Sequence, residues 1–355
     1  MSRWIAAALG ALGVLVIAAL AWPEAAYERF EPDAAYRAQA ERYSLPPMPA
    51  DWTQQTWTAE DGTVLRWGET GNRDSAKATV VWVPGYTATL DMYGEQIDLL
   101  AERGYHVIGV DLRGQGMSQR DRADQPEKLL VDDFGVYTAD LAAFVTEVAP
   151  QGRPVIPMAM SFGGHVAYRT AFENPGLFDA IFLVAPALQP RMGENSAQAV
   201  TAMKAMKGFG RGERYVPGQG NWTVTMPDLR VAGPEYCASN PARLHARDVV
   251  FTRNPEQRVG GVTANWGLAF MESAESLAAR DVSGLSVPVR MMLAEYEVFV
   301  ENDANLAACD RLPQCETLLI EGTAHCLMQE SDAVLATMFD ELDALTASLG
   351  APGEG

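Results

Sequence analysis

Between residues 79 and 184 the chain alternates short apolar runs with longer stretches whose apolar positions recur every three or four residues. The runs are Thr79–Val83, His106–Val110, Val155–Met160 and Ile181–Val184, and the periodic stretches are Met92–Arg103, Val136–Val148 and a segment from Gly164. A strand buried on both faces needs an unbroken apolar run, and a helix lying on a sheet needs a period near 3.6 residues. The repetition therefore predicts a mostly parallel, doubly wound α/β sheet with helices on both faces. The same rhythm returns late, with strands expected over Val289–Leu293 and Thr317–Ile320 and a closing amphipathic helix over Ser331–Leu349. Ahead of the alternation, Thr53–Thr58 and Thr63–Trp67 flank Asp61-Gly62 and read as a hairpin.

Two stretches break the pattern. Residues 26–51 are polar with several prolines, including Pro46-Pro47, and read as a tether. From about Arg191 to Asp281 strand runs are missing, and an Ala/Met helix (Ser196–Met206) mixes with loops bearing Gly, Pro and Trp. This reads as a helical cap inserted over the carboxyl ends of the strands, where ligands of such sheets bind. The expected organisation is thus a core over 52–190, a cap over 191–285 and a second part of the core over 286–350. Met192, Met203 and Met206 are candidates for an adaptable acyl-chain groove, with plain core packing as the alternative.

The first 25 residues change the picture of where the chain works. Trp4 to Trp22 carries no charge. At about 1.5 Å per residue it nearly spans a hydrocarbon layer of about 30 Å, and it exceeds the apolar region of ordinary cleaved signals. An uncleaved membrane anchor is expected. Arg3 before it and Glu24 and Glu28 after it put the folded part on the periplasmic or extracytoplasmic side. Cleavage near Ala19-Leu20-Ala21 would instead release a secreted protein. The 27 basic and 46 acidic residues give a net charge of −19, which repels phosphate backbones and argues against nucleic-acid binding. Of four cysteines, Cys309 and Cys315 flank a Pro-containing turn and are candidates for a disulfide in an exported compartment. Cys237 and Cys326 have no evident partner and read as small buried hydrophobes.

Val155–Met160 runs into Ser161-Phe162-Gly163-Gly164 and then a helical stretch, Val166–Phe172. A strand, a sharp turn and a helix lift a serine hydroxyl clear of the backbone when small residues stand two positions either side, and here they are Ala159 and Gly163. Ser161 is therefore the candidate nucleophile. Its base must come from four histidines. His106 begins a buried strand, His165 lies on the helix after the serine and faces away from it, and His245 falls in the cap. His325 follows the last strand in a Gly-containing loop and suits the task. An orienting acid is expected after the penultimate strand, where Glu295 and Glu297 stand, with Glu301 and Asp303 behind them. Oxyanion donors are expected from the Phe162 amide and, in the loop Val83-Pro84-Gly85-Tyr86-Thr87, the Tyr86 amide. No clustered His or Cys ligands suggest a metal, and no cofactor is expected.

Several stretches then agree. Gly104-Tyr105-His106 leads to Asp111-Leu112-Arg113-Gly114-Gln115-Gly116-Met117-Ser118-Gln119-Arg120, and Asp133-Phe134 leads through Tyr137 to Asp140-Leu141. With the serine turn, these make residues 56 to 345 resemble the bacterial lysophospholipase and monoacylglycerol lipase branch of the α/β hydrolases, grouped with the serine aminopeptidases. In that likeness Glu297 takes the acid position, with Glu where Asp is usual, and Gly322-Thr323-Ala324-His325 through Glu330 is the histidine loop. Tyr215-Val216-Pro217-Gly218, and Gly260-Gly261-Val262-Thr263 before Trp266, are similar to that family's cap. Pro84 departs from it, standing where a histidine commonly precedes the oxyanion-loop glycine. The stretch Asp111–Arg120 reads as structural, a tight turn held by charge pairing. The resemblance implies an α/β-hydrolase fold and cleavage of small lipid or other carboxylic esters, of lysophospholipid or monoacylglycerol type, by Ser161, His325 and Glu297. Two alternatives stand beside it. One is an aminopeptidase with an acidic cap pocket drawn from Glu213, Glu235, Glu272 and Glu275. The other is a non-catalytic binding module, whose signature would be a degenerate triad.

Overall fold

The computed structural model describes residues 26–350 apart from 193–195, 227 and 283. Trp4–Trp22, the expected anchor, lies outside the described residues. Among the described residues no helix is long and apolar enough to cross a membrane.

In chain order the larger elements are α1 (Ala34–Arg42), β1 (Thr53–Thr58), β2 (Val64–Thr70), β3 (Thr79–Val83), α2 (Gly94–Glu102), β4 (His106–Val110), α3 (Gly135–Val148), β5 (Val155–Met160), α4 (Ser161–Glu173) and β6 (Ile181–Val184). The cap follows with α5 (Ser196–Gly208), α6 (Pro241–Leu244), α7 (Ala246–Arg253) and α8 (Ala264–Ala279). The chain then returns to the sheet through β7 (Val289–Tyr296), α9 (Asn302–Asp310), β8 (Cys315–Ala324) and α10 (Asp332–Ser348).

The strands form one eight-stranded sheet in the order β1-β2-β4-β3-β5-β6-β7-β8. The β1–β2 and β2–β4 pairs are antiparallel and the others parallel. This is the α/β-hydrolase fold. Successive side chains of a strand point to opposite faces, so each central strand feeds two cores. Val81, Val83, Ile108, Ala159 and Leu183 pack on one face with Leu141 and Phe144 of α3 and Val166 and Ala167 of α4. Val80, Trp82, Val107, Met158 and Phe182 pack on the other with Ile97 and Leu100 of α2 and Met338, Phe339 and Leu342 of α10. Burial on both faces is why these strands carry no polar alternation.

Between β6 and β7 the insertion is helical. Met203 and Met206 of α5 bury against Ala264 and Leu268 of α8 to give the cap a small core of its own.

Two expectations need correction. Residues 26–51 are not a free tether: α1 is capped by the Asp33 side chain, which accepts the Tyr36 N–H, and its buried Tyr36 and Ala40 pack with Val249 of α7 and Leu229. The Arg253 guanidinium of α7 donates to the Ala40 carbonyl at the end of α1. Nor are Cys237 and Cys326 separate buried thiols, because they form a disulfide with Cα atoms 5.2 Å apart. Sequence separation of 89 residues hid that pair, since only the folding of cap onto core brings the two together. Cys309 and Cys315 form the second disulfide, as their spacing suggested.

Candidate active site

The chain moves from β3 to β4 on one side and then crosses back to β5 on the other side of β3. The carboxyl ends of β3 and β5 therefore flank the point where the winding of the sheet reverses, the usual crevice for a ligand. Val83, the last residue of β3, pairs with Ala159, two residues before Ser161.

Ser161 opens α4 with φ +50°, a left-handed conformation that a side chain disfavours and that turns the strand sharply into the helix. The turn is crowded on its inner side, since a β-carbon on Gly163 would stand 2.4 Å from the Pro84 carbonyl oxygen. On the other flank Ala159 is fully buried between Val83 and Leu183, so its methyl is accommodated where the motif usually has glycine.

His325 directly follows β8, which runs on through Gly322 at φ +73° to Ala324 and so takes in the residues expected as a loop, and it leads into a short 3₁₀ turn over Leu327–Gln329. Its Nε2 lies 2.9 Å from Ser161 Oγ and its Nδ1 lies 2.7 Å from Glu297 Oε2. This geometry assigns the tautomer: Nδ1–H donates to the carboxylate and Nε2 accepts from the serine hydroxyl. The other oxygen of Glu297 accepts the N–H groups of Val298 at 2.9 Å and Phe299 at 2.8 Å. Burial by itself raises this carboxyl, but the His325 hydrogen bond and charge and the Phe299 and Val300 amides outweigh it, leaving Glu297 below the ordinary carboxylate range. The Phe299 ring packs edge-on against the imidazole, with centroids 5.1 Å apart.

The other histidines are engaged elsewhere. His106 Nε2 is 3.0 Å from Glu69 Oε2, and His245 Nε2 is 2.7 Å from the Val231 carbonyl. His165 is buried between the Ala187 carbonyl and Ser273 Oγ, and desolvation pushes it down to about 3, so it stays neutral. Among the fallback acids, Glu295 accepts the Gly322 N–H, Glu301 pairs with Arg191, and Asp303 lies in the first turn of α9.

The loop after β3 sits directly beside the serine, for a β-carbon on Gly85 would come within 3.3 Å of Ser161 Cβ. Gln115 holds this loop from both sides of Tyr86: its Oε1 accepts the Thr87 N–H at 2.7 Å and its Nε2 donates to the Gly85 carbonyl at 3.2 Å. Asp111 anchors the turn that carries Gln115. Fully buried, it accepts the N–H groups of Leu90 and Met117 and pairs with Arg66. A β-carbon on Gly116 would collide with the Asp111 carboxylate, so the turn needs glycine there. The Asp111–Arg120 stretch is thus structural, as expected, but its purpose was not legible: it fixes the backbone at Tyr86. Phe162 N–H belongs to the first turn of α4, where amides have no intrahelical acceptor.

Ser161, His325, Tyr86 and Phe162 all open on one cavity of about 1470 Å³ beneath the cap. Its walls are mostly apolar, with Met92, Met192, Met203, Val262, Phe270 and Met271 among them. Met192 and Met203 thus line it, whereas Met206 belongs to the small cap core. Of the four glutamates considered for an acidic cap pocket, Glu235 lines the cavity, while Glu213 pairs with Arg122. Arg247 and Asp248 of α7 also reach the wall, joined through Thr225 Oγ1. The Cys237–Cys326 disulfide forms part of the wall beside the histidine.

The arrangement is a hydroxyl, an imidazole and a carboxylate in series, beside the loop that carries Tyr86 and the first turn of α4. Residues 74–332 match the family model described as serine aminopeptidase, S33. The chain is 27% identical over 308 residues to lysophospholipase L2 of Escherichia coli (strain K12), covering 82% of this chain and 87% of that protein. It is 24% identical over 281 residues to the monoglyceride lipase of Homo sapiens, covering 78% and 84%. Its fold is similar to the crystal structure of a soluble variant of monoglyceride lipase from Saccharomyces cerevisiae in complex with a substrate analog, with TM-score 0.67 and 16% identity over 87% of this chain and 98% of that one.

Proposed function

Because the chain belongs to the serine aminopeptidase S33 family of α/β hydrolases, we propose that it is an ester hydrolase acting on lipid monoesters of lysophospholipid or monoacylglycerol type. The observation that carries this reading is the hydrogen-bonded series Ser161, His325 and Glu297, whose serine and histidine open on a large, mostly apolar cavity. The similarity to proteins named lysophospholipase L2 and monoglyceride lipase supports it.

In this reading Ser161 Oγ attacks the ester carbonyl while His325 Nε2 takes its proton. Glu297 holds the imidazole in the required tautomer and stabilises the imidazolium. The Tyr86 and Phe162 N–H groups receive the oxyanion, and each such donor is worth roughly 10²–10³ in rate. Collapse expels the alcohol, protonated by His325, and leaves an acyl-enzyme. Water, deprotonated by the same imidazole, then attacks the acyl carbon and releases the fatty acid. Methionine-rich walls suit an acyl chain of variable shape. They favour esters over the aminopeptidase reading, since Glu235 alone of the four glutamates considered faces the cavity.

Trp4–Trp22 is proposed as a membrane anchor with the folded part on the extracytoplasmic side. The charge asymmetry around it supports this, and so do the two disulfides, which persist in oxidising compartments.

Labelling with a fluorophosphonate probe tests the chemistry. The wild type is expected to label and Ser161→Ala and His325→Ala to stay blank; a silent wild type sinks the enzyme reading. A panel of lysophospholipid, monoacylglycerol, short p-nitrophenyl ester and aminoacyl amide then decides the class, with faster amide than ester turnover favouring the peptidase.

A further inference from the structure

The Cys237–Cys326 disulfide joins a cap segment to the residue that follows His325. It is reinforced by the backbone, for Cys326 N–H donates to the Cys237 carbonyl at 3.1 Å. Cys237 holds φ +99°, a conformation that a side chain adopts only when its surroundings impose it. Immediately downstream, Ser239 N–H and Oγ–H both donate to Glu330 Oε2, at the end of the same histidine loop. Pro234, Glu235 and Tyr236, which precede the bridge, line the cavity together with both cysteines. Both cysteines are half-buried residues on the wall of the cavity. The Cys309–Cys315 bridge differs in place, since Cys315 pairs with Val289 at the amino ends of β8 and β7, the opposite edge of the sheet from the site.

We propose that Cys237–Cys326 is a specificity-determining latch: it holds the cap wall Pro234–Cys237 against the histidine loop and so sets the fit for long acyl chains. The inference rests on the ester-hydrolase reading. His325 itself is held by Glu297 and by the turn from Leu327 to Gln329, so opening the latch leaves the triad in place and the cap wall held by hydrogen bonds alone, looser than before. A dithiol reductant opens it by two exchanges. One thiolate attacks a cysteine sulfur and breaks the S–S bond, the second displaces it from the mixed disulfide, and two electrons and two protons leave two cysteine thiols and an oxidised reductant.

The test uses the full chain carrying Cys309→Ser and Cys315→Ser, so that a single disulfide responds. Three forms are compared: oxidised, treated with dithiothreitol, and further substituted Cys237→Ser/Cys326→Ser, with thiol titration recording the state. Measured on a long-chain monoacylglycerol, KM is expected to rise roughly tenfold in the opened forms, the scale of losing one good apolar contact. On a short p-nitrophenyl ester, kcat is expected to stay within roughly twofold, and reoxidation should restore the long-chain KM. Equal loss of kcat on both esters would overturn the proposal, because the bridge would then act on the triad. Unchanged kinetics in the double serine variant would overturn it too. If the oxidised form turns over neither ester, the ester-hydrolase reading fails, and the latch with it.

Discussion

Gln115 uses both ends of its amide on the backbone either side of Tyr86. It does not line the cavity, so in the proposed reaction it acts as a positioning residue for the Tyr86 oxyanion donor. Gln115→Leu keeps the volume and removes both hydrogen bonds. Because a donor displaced by an ångström loses most of its value, kcat on a short ester is expected to fall roughly 10–10²-fold with KM little changed. A proportional rise in KM at constant kcat would instead mark a binding defect. Glu297 makes a related point at the other end of the series. Its longer side chain reaches His325 while its second oxygen rests on amides of its own loop, so the exchange of Asp for Glu is absorbed by local backbone.

At the scale of elements, α1 shows how docking replaces local propensity. Its only buried side chains are Tyr36 and Ala40, too thin a stripe to form a helix alone, and α7 supplies the rest. Tyr36→Ala is expected to destabilise the protein by about 2–4 kcal/mol in urea unfolding and to expose residues 26–51 to limited proteolysis. A freely tethered segment would show neither effect. The same thinness explains why this helix reads as a linker in the sequence. The central strands were legible for the converse reason: apart from Thr79 and His106 at their starts, β3, β4, β5 and β6 are apolar because both faces are covered, and their bounds in the structure agree with the apolar runs. Edge geometry was harder to read. β7 continues to Tyr296 across a register shift and β8 extends from Cys315 to Ala324, largely unburied until Thr323 and longer than its apolar run. Ser161 and His325 were readable because chain order and strand context narrow the choice. Glu297 needed the family likeness to separate it from Glu295, two residues away on the same strand end. The role of Gln115 and the Cys237–Cys326 pair depends on contacts between distant segments, for which one sequence carries no periodic signal.

For the whole molecule, the place where the described chain enters the fold matters. Tyr27 OH donates to Glu127, which also takes the Trp222 N–H of the cap, and the Phe30 ring packs edge-on against Trp222. The polypeptide therefore enters the fold through the cap, on the side of the sheet where the cavity lies. Even fully extended, the stretch from Trp22 to Tyr27 spans no more than roughly 18 Å. With Trp4–Trp22 in a bilayer as proposed, the enzyme is moored like a boat at its bow, its substrate chamber held close to the headgroups and its opposite face turned to bulk water. A lipid would then travel a short way along the interface and never through open solvent. Removing residues 1–25 is accordingly expected to slow turnover of a monoester embedded in vesicles at least roughly tenfold, by loss of effective concentration. Turnover of a short soluble ester should be unchanged, and equal rates of both forms on vesicles would show that the mooring has no part in catalysis.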